Sequence, residues 1–439
     1  MTGEQIASLQ AELAGFLEIY RPYFRREKTF GYLLKYLLGL MADLKRKSVE
    51  PIALAAGLPV RTLQEFLSFF EWDHDRIDDA MQRMVADRYA SPEALGILDA
   101  SGHPKQGDKT PGVQHQYCGE RGKQENCVVG QHLLYTDNDP TNPFSCILAS
   151  DLYVPESWIE DRPRCRDAGI PDEVVFRTKW QIGLDQVRRA IGNGVRFSYI
   201  VFDADYGRVP KFWLGLDAMG QRGVGWVGPD FNCWTTLPHW QSGRAEHSSK
   251  EVKHLATYSP VFTQQPWRTV KVKEMTRGYS TWRMKAARVH LVAQKAPGNH
   301  GPSIPTDRKY WLIVADNLHT NERKFLVSNA GEDADPVELL RIGLERWHVE
   351  KWFERAKQEA GFGDFEVRTY VSLIRHWLCS RLAMFFLSSQ TKRLRGEKSA
   401  DHRRASGNGG QRPDVEALEA VPELVGQTNR LLRISPVAQ

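Results

Sequence analysis

The segment Arg346-Trp347-His348-Val349-Glu350-Lys351-Trp352-Phe353-Glu354-Arg355-Ala356-Lys357 is the most informative part of this sequence. Successive residues of a helix are about 100° apart, so Arg346, Glu350 and Lys357 share one face, beside an apolar stripe. A carboxylate at the edge of a partly buried helix can bind a divalent metal ion, and flanking cations can bind phosphates. The alternative is a solvated face with ordinary ion pairs. Motifs elsewhere in the chain help to decide between a metal-binding helix face and a solvated one.

Composition is typical of a globular protein with two or three domains, since the chain has 439 residues, 41% hydrophobic and 26% charged. A net charge of +5 favours nucleic acid only weakly. We find no apolar run of about 18 residues and no signal sequence, so we expect no membrane contact and a cytoplasmic location. The six cysteines are scattered without a Cys-x-x-Cys pair, which argues against a zinc site or a disulfide framework.

Residues 1–90 are expected to form an all-α domain. Within it, Ser48 to Leu67 contains a short alanine-rich helix, a turn at Gly57 and a second helix, the spacing of a helix-turn-helix. In that interpretation Arg61, Thr62 and Gln64 face DNA. The alternative is an αα-hairpin in a helical bundle.

Two predicted buried strands end in an aspartate: Ala94 to Gly102 contains Asp99, and Phe197 to Asp203 ends at Asp203. Strands over 127–136, 145–154 and 224–227, with helices over 171–192 and 210–220, complete an α/β domain assigned to 91–228 and 329–390. Parallel strands deliver their carboxyl ends to one sheet edge, so both aspartates are expected to meet there and to bind a hard divalent metal. The alternative is that each aspartate caps a turn.

Residues 229–328 have frequent turn residues and short alternating strands, which predict a β-rich insertion domain. The segment is basic, and Trp234, Trp267 and Trp282 lie among its cations, a composition suited to DNA backbone binding and base stacking. The tryptophans could instead fill the core of a small β-domain. Further along, helices are expected from Pro336 and over 370–387, followed by a basic linker and a weak helix, 415–432, within residues 391–439.

With these residues in view, the chain resembles the DDE transposases of bacterial insertion sequences, in particular the cut-and-paste branch with a β-rich insertion in a ribonuclease H-like fold. The resemblance rests on the two strand-end motifs and on a Tyr-x2-Arg-x3-Glu-x6-Lys pattern, which the chain matches at Arg346, Glu350 and Lys357. Gly343 stands where that pattern has tyrosine. The implied fold is a mixed sheet flanked by helices, with an all-α N-terminal domain.

The resemblance implies that Asp99, Asp203 and Glu350 are catalytic residues that hold two Mg²⁺ ions, for which Mn²⁺ can substitute. Asp205 is the rival for the second ligand position.

It further implies a homodimer in a synaptic complex on double-stranded DNA, both transposon ends and target, near the bacterial nucleoid. The predicted DNA contacts add Arg346, Lys357, Tyr206 and Lys105 to the residues named above, although Tyr206 could instead orient its turn. Two alternatives remain: a DNA-binding protein with an inactive transposase-like fold, and a metal-dependent nuclease without strand transfer.

Overall fold

The structure is a computed structural model that describes residues 3–241, 244–245, 247–275, 278–294 and 303–405. The weak helix predicted over 415–432 lies outside the described residues.

The N-terminal part is helical, as predicted. Its helices, with a short 3₁₀ helix at Glu18–Tyr23, are α1 (Gly3–Leu17), α2 (Glu27–Met41), α3 (Val49–Ala55), α4 (Val60–Ser68) and α5 (His74–Arg88). Gly57 has a φ of 64°, the left-handed conformation that ends α3 and lets the chain turn into α4. The two short helices of the predicted helix-turn-helix segment are therefore present.

A mixed sheet follows. Its elements are β1 (Leu95–Pro104), β2 (Gln114–Cys118), β3 (Lys123–Thr136), β4 (Ser145–Leu152), α6 (Glu156–Glu160), α7 (Arg162–Asp167), α8 (Lys179–Gly192), β5 (Tyr199–Phe202), α9 (Ala204–Gly207), α10 (Pro210–Ala218) and β6 (Gly223–Val227). The main strands lie in the order β4-β3-β1-β5-β6, with β1, β5 and β6 parallel and β3 antiparallel to its neighbours. This is the ribonuclease H-like arrangement that the sequence predicted.

The β-rich segment extends this sheet. It contains β7 (Asn232–Trp234), β8 (Trp240–Gln241), β9 (Arg244–Ala245), β10 (Lys250–Glu251), α11 (Val252–Tyr258), α12 (Pro260–Thr263), β11 (Arg268–Met275), β12 (Gly278–Gln294), β13 (Ile304–Pro305), β14 (Tyr310–Asn317) and β15 (Arg323–Ser328). Strand β15 pairs antiparallel with β6, and β14, β12, β7 and β10 follow outward. Because β15 satisfies the free edge of β6, the insertion is continuous with the mixed sheet.

Three helices complete the fold: α13 (Pro336–Leu344), α14 (Trp347–Ala360) and α15 (Tyr370–Ala405). The expectation of one helix from Pro336 through the acidic motif was wrong, because the chain breaks at Glu345 and Arg346, so that Glu350 lies in the first turn of a separate helix. The linker expected after residue 390 begins as a continuation of α15. There Lys392 Nζ lies 2.7 Å from both Asp137 Oδ2 and the carbonyl oxygen of Asn142, which fixes this end of the helix.

Helix α15 joins the N-terminal helices to the sheet. The buried Arg375 donates to the carbonyl oxygens of Phe70 at 3.0 Å and Trp72 at 2.9 Å. Arg381 pairs with Asp78 at 2.6 Å and is 2% exposed. Buried residues of the N-terminal helices, the sheet and α15 form one continuous apolar core. The N-terminal helices are therefore packed directly against α15 and the sheet.

Within the described part of the chain, no helix is both long enough and apolar enough to cross a membrane.

Three histidines, His103, His132 and His376, are buried where α14, α15 and the sheet meet. The His376 ring nitrogens lie 2.9 Å from the Tyr36 hydroxyl and 2.9 Å from the carbonyl oxygen of Gly361. Burial lowers the pKa of His376 to about 4, and it lowers the pKa of His103 and His132 well below the ordinary value. All three are therefore neutral in the folded protein at neutral pH.

We predict that the free energy of unfolding falls as the pH is lowered from about 6.5 to about 4, because the unfolded chain binds protons that the buried rings do not. At about 1.4 kcal/mol per pKa unit, His376 alone contributes about 3 kcal/mol, fully present above pH 6.5. Urea titrations at several pH values measure this. The His376→Gln variant should show a shallower pH dependence, whereas His115→Gln, which changes an exposed histidine of β2, should match the wild type. The same pH dependence of the free energy of unfolding in all three proteins would contradict the contribution of His376.

Candidate functional site

The site is built by the parallel pairing of β1 with β5. Gly96 pairs with Ile200 and Ile97 pairs with Val201, so the same register, continued by two residues, sets Asp99 level with Asp203. Both follow buried apolar residues, which hold the two strands in place. The two aspartates therefore lie level on neighbouring strands, as expected, but the prediction that the first strand ends at Asp99 was wrong, because β1 stays paired with β3 as far as Pro104.

Each aspartate is already engaged on one side. Asp99 Oδ1 accepts a hydrogen bond of 2.8 Å from the Ala100 amide, and Asp203 Oδ1 accepts one of 2.9 Å from the Asp205 amide. Burial raises the pKa of Asp99 to about 7; the Arg346 charge opposes that rise, and the charges of Asp203 and Glu350 add to it. Burial, followed by the charge of Asp205, also raises the pKa of Asp203. Asp203 is also the N-cap of α9. The turn-capping alternative is therefore true of Asp203, and it does not exclude the position beside Asp99.

Arg346 connects the third carboxylate to this edge. Its Nη1 lies 3.0 Å from Asp99 Oδ2, and its Nη2 donates to Glu350 Oε1. The side chain of Asp99 is 16% exposed, whereas that of Glu350 is 58% exposed. Arg346 therefore supplies the positive charge between a buried and an exposed carboxylate.

The donor set fits a hard divalent ion in its chemistry, since three carboxylates from β1, β5 and α14 interact electrostatically at one edge. In the described residues, however, no three His, Cys, Asp or Glu side chains are gathered closely enough to hold a metal ion. The Arg346 guanidinium occupies Asp99 Oδ2, and the Ala100 amide occupies Oδ1. Metal binding by all three carboxylates therefore requires Arg346 to leave Asp99. Asp205, the rival ligand, is exposed and pairs with Arg208 at 3.2 Å.

The two predicted phosphate-binding lysines differ in their surroundings. Lys357 Nζ lies 2.6 Å from Glu120 Oε2, in the turn between β2 and β3, and stays partly exposed. Lys105 donates to the carbonyl oxygens of Gly363 at 3.0 Å and Phe365 at 2.8 Å, and lies 3.7 Å from the centroid of the Phe365 ring. Burial lowers the pKa of Lys105 to about 8. Lys105 thus fixes the segment after α14.

Lys105 also lines the rim of a basic cavity of about 820 Å³ between the ends of β1 and β3 and the segment before α15. Its cationic lining residues are Arg46, Lys105, Lys109, Arg121 and Arg368.

Three residues predicted to contact DNA are buried, and the structure corrects that prediction. Tyr206 is 2% exposed and donates to Gln131 inside the core. Trp234 and Trp282 are each 3% exposed, and the Trp282 indole donates to Ser280 Oγ at 2.9 Å. Bases have no access to these rings, so the core-filling alternative holds for both tryptophans and the turn-orienting alternative for Tyr206.

Trp267 is only partly buried, and two cationic side chains lie against the face of its ring. The Arg283 guanidinium lies 4.6 Å and the Lys285 ammonium 4.7 Å from its ring centroid. Of the helix-turn-helix residues, Arg61 and Gln64 are exposed and Thr62 is partly exposed, with Arg61 Nε 2.7 Å from Glu65. These residues lie on surfaces that DNA can reach.

Tight packing explains why glycine stands at position 343. Helix α13 crosses the sheet so closely that a Cβ at Gly343 would overlap the Leu326 side chain and lie 3.2 Å from Val224 Cγ1. A tyrosine at this position does not fit the observed packing.

Two features of the site were not found from the sequence: the Arg346 bridge and the hydrogen bond from Tyr206 to Gln131. Arg346 and Asp99 are 247 positions apart, and Tyr206 and Gln131 are 75 apart, so only the three-dimensional fold reveals these pairs.

A family model described as DDE superfamily endonuclease matches residues 19–285, more than half of the chain. The chain belongs to this family. The match includes Asp99 and Asp203, while Glu350 lies beyond its end. The resemblance drawn from the sequence is confirmed at the level of the family.

The chain is also similar to one named protein and to one solved structure. The chain is 24% identical over 361 residues, 81% of each sequence, to a protein from Microchaete diplosiphon named probable transposase for insertion sequence element IS701. A cryo-EM structure of the piggyBac transposase synaptic complex with hairpin DNA matches all of this chain and 81% of its own, with 11% identity and a TM-score of 0.40.

We predict that Trp282→Ala lowers the free energy of unfolding by about 3–5 kcal/mol, because it empties a buried site in the sheet. Trp267→Ala should cost clearly less, since its ring is partly exposed. Denaturant unfolding of the two variants measures the difference. A smaller loss for Trp282→Ala than for Trp267→Ala would contradict the core position of Trp282.

Proposed function

We propose that this protein is a DNA transposase of an insertion sequence. It binds the terminal inverted repeats, cleaves the DNA ends by metal-dependent phosphodiester hydrolysis and joins the resulting 3′-hydroxyl ends to target DNA. The proposal is supported by the family assignment and by the similarity to a probable insertion-sequence transposase.

The observation that carries it is the side-by-side position of Asp99, within β1, and Asp203, just after the end of the parallel strand β5, with Glu350 tied to Asp99 through Arg346. Buried carboxylates placed together raise one another's pKa and need a cation to stay ionised. A purely structural role gives no reason to place these two aspartates side by side with Glu350 linked to them through Arg346.

Asp99, Asp203 and Glu350 are the proposed ligands of two Mg²⁺ ions, for which Mn²⁺ can substitute. When bound, such ions lower the pKa of an attacking water and stabilise the leaving oxygen of a phosphodiester. In cleavage, the water oxygen bonds to phosphorus and the bond from phosphorus to the 3′ oxygen breaks, which leaves a 3′-hydroxyl. In joining, that hydroxyl attacks a target phosphodiester in the same way.

The chain's own cations hold the DNA in register for these steps. Arg346 exchanges its contact with Asp99 for a phosphate oxygen, which also frees that carboxylate, because a guanidinium binds phosphate in two-pronged geometry. Lys357, which pairs with Glu120 of the β2–β3 turn, binds a neighbouring phosphate.

Sequence-specific contacts come from the exposed side of α4, with Arg61, Thr62 and Gln64. The partly exposed Trp267 and its neighbouring cations contribute a further backbone contact. Two chains are proposed to act together, one per transposon end, because both ends must be cut and joined in concert.

The direct test is Mg²⁺-dependent cleavage of linear DNA that carries the element's terminal repeats. Wild-type protein should cut at the repeat ends. Glu350→Gln should lose cleavage by at least about a hundredfold while still shifting the repeat DNA, since it removes a ligand charge but keeps the side-chain size. Glu354→Gln is the matched control, because Glu354 is the exposed acid one turn further along α14 and pairs only locally with Lys351 at 3.0 Å; it should cut like the wild type.

Equal cleavage by wild type and Glu350→Gln would remove Glu350 from the site. DNA binding without any cleavage by the wild type would favour a binding protein with an inactive fold. Failure to join a pre-cut 3′-hydroxyl end to target DNA, with cleavage intact, would favour a nuclease.

A further inference from the structure

We infer that Tyr206 and Gln131 form a positioning pair that sets where the Asp203 carboxylate stands relative to Asp99. This inference rests on the proposed role of the two aspartates as metal ligands. Both residues are buried, and they act on the site through the position of Asp203 and not through contact with metal or DNA.

Asp203 belongs to a very short element, since α9 spans only Ala204–Gly207 and Asp203 is its N-cap. Four residues of helix have little stability of their own, so the position of Asp203 depends on what anchors this turn.

On one side, Gly207 packs so tightly against β6 that a Cβ there would overlap the carbonyl oxygen of Trp226. Its own carbonyl oxygen accepts a hydrogen bond of 2.8 Å from the indole of Trp213.

The anchor on the other side is Tyr206. Its hydroxyl donates to Gln131 Oε1, and Gln131 is fully buried on β3. Strand β1, which carries Asp99, lies between β3 and β5 in the sheet, and Gln131 pairs with Ala100, the residue after Asp99. The hydrogen bond therefore reaches across the Asp99 strand and ties the Asp203 turn to the strand beyond it.

Gln131 is itself held in place. Its carbonyl oxygen accepts a hydrogen bond of 2.8 Å from Gln186 Nε2 of α8, and that nitrogen also lies 2.7 Å from Asp151 Oδ2 of β4. Asp151 pairs with Gln131 in the antiparallel register of β3 and β4. Contacts with α8 and β4 thus hold Gln131 in place. A hydrogen bond to Gln131 can therefore fix the position of the Tyr206 turn.

The anchor opposes a specific force. Asp99 and Asp203 lie level on neighbouring parallel strands, so their carboxylates repel each other when both are ionised. A turn held only by its backbone can relax away from Asp99, whereas a turn pinned on both flanks cannot. The pair therefore limits how far the Asp203 turn can move away from Asp99.

The test is the affinity of the DNA-bound protein for Mn²⁺, followed by the paramagnetic resonance signal of the free ion, with thermal unfolding measured on the same samples. Tyr206→Phe keeps the ring and removes only the hydroxyl. We expect the Mn²⁺ dissociation constant to rise by about tenfold or more, as for partners that orient metal ligands without touching the metal. Affinity for repeat DNA in the absence of metal should not change.

The matched control is Tyr135→Phe. Tyr135 is also a buried tyrosine of the same sheet, on β3, and its hydroxyl donates to the carbonyl oxygen of Tyr89, away from the carboxylates. It should lose comparable thermal stability with unchanged Mn²⁺ affinity. Gln131→Met should weaken Mn²⁺ binding as Tyr206→Phe does, and the double variant should be no weaker than either single one, because both remove the same hydrogen bond. If Tyr206→Phe does not fold, Gln131→Met carries the test.

Unchanged Mn²⁺ affinity in Tyr206→Phe and Gln131→Met, or an equal loss in Tyr135→Phe, would overturn the inference. Asp203→Asn separates this failure from a failure of the proposed function. If Asp203→Asn abolishes Mn²⁺ binding while Tyr206→Phe does not weaken it, only the positioning role is wrong. If Asp203→Asn leaves Mn²⁺ binding intact, the metal-ligand assignment itself is wrong.

Discussion

The parallel pairing of β1 with β5 is the constraint on which the rest of this protein depends. The register that pairs Ile97 with Val201 brings Asp99 beside Asp203, although 104 positions separate the two aspartates in the sequence. The paired parts of both strands are apolar and buried on both faces of the sheet, so burial holds the two strands together in the core. The hydrophobic core and the candidate site are therefore specified by the same contacts.

Charge balance explains the surroundings of this edge. Two buried aspartates are unfavourable unless a cation is near, and Arg346 provides that cation while it links Asp99 to Glu350 on α14. The α14 helix is itself supported by the buried histidines and aromatic rings beneath it and by α15. Through Arg375 and Arg381 that support extends to the N-terminal helices. The N-terminal helices and the carboxylate edge therefore share one hydrophobic core.

Much of the fold could be predicted from the sequence, because apolar periodicity marks strands and helices directly. The strands of Asp99 and Asp203, the all-α N-terminal part and the helix of Glu350 were found in this way. The predicted DNA contacts of Trp234, Trp282 and Tyr206 failed for a physical reason: an aromatic residue among cations has the same local pattern whether its ring points to solvent or into the sheet. The Arg346 bridge, the edge-to-edge continuation of the sheet through β15 and the extension of α15 past Lys392 depend on partners far away in sequence, which local patterns do not contain.

The most direct measurement of the central claim is the anomalous scattering of Mn²⁺ in crystals of the protein bound to a pre-cut transposon end. We expect Mn²⁺ density between Asp99 and Asp203, with Glu350 at its side and the Arg346 guanidinium moved from Asp99 to a DNA phosphate. Mn²⁺ bound elsewhere, with Arg346 still on Asp99 in the presence of DNA, would contradict it.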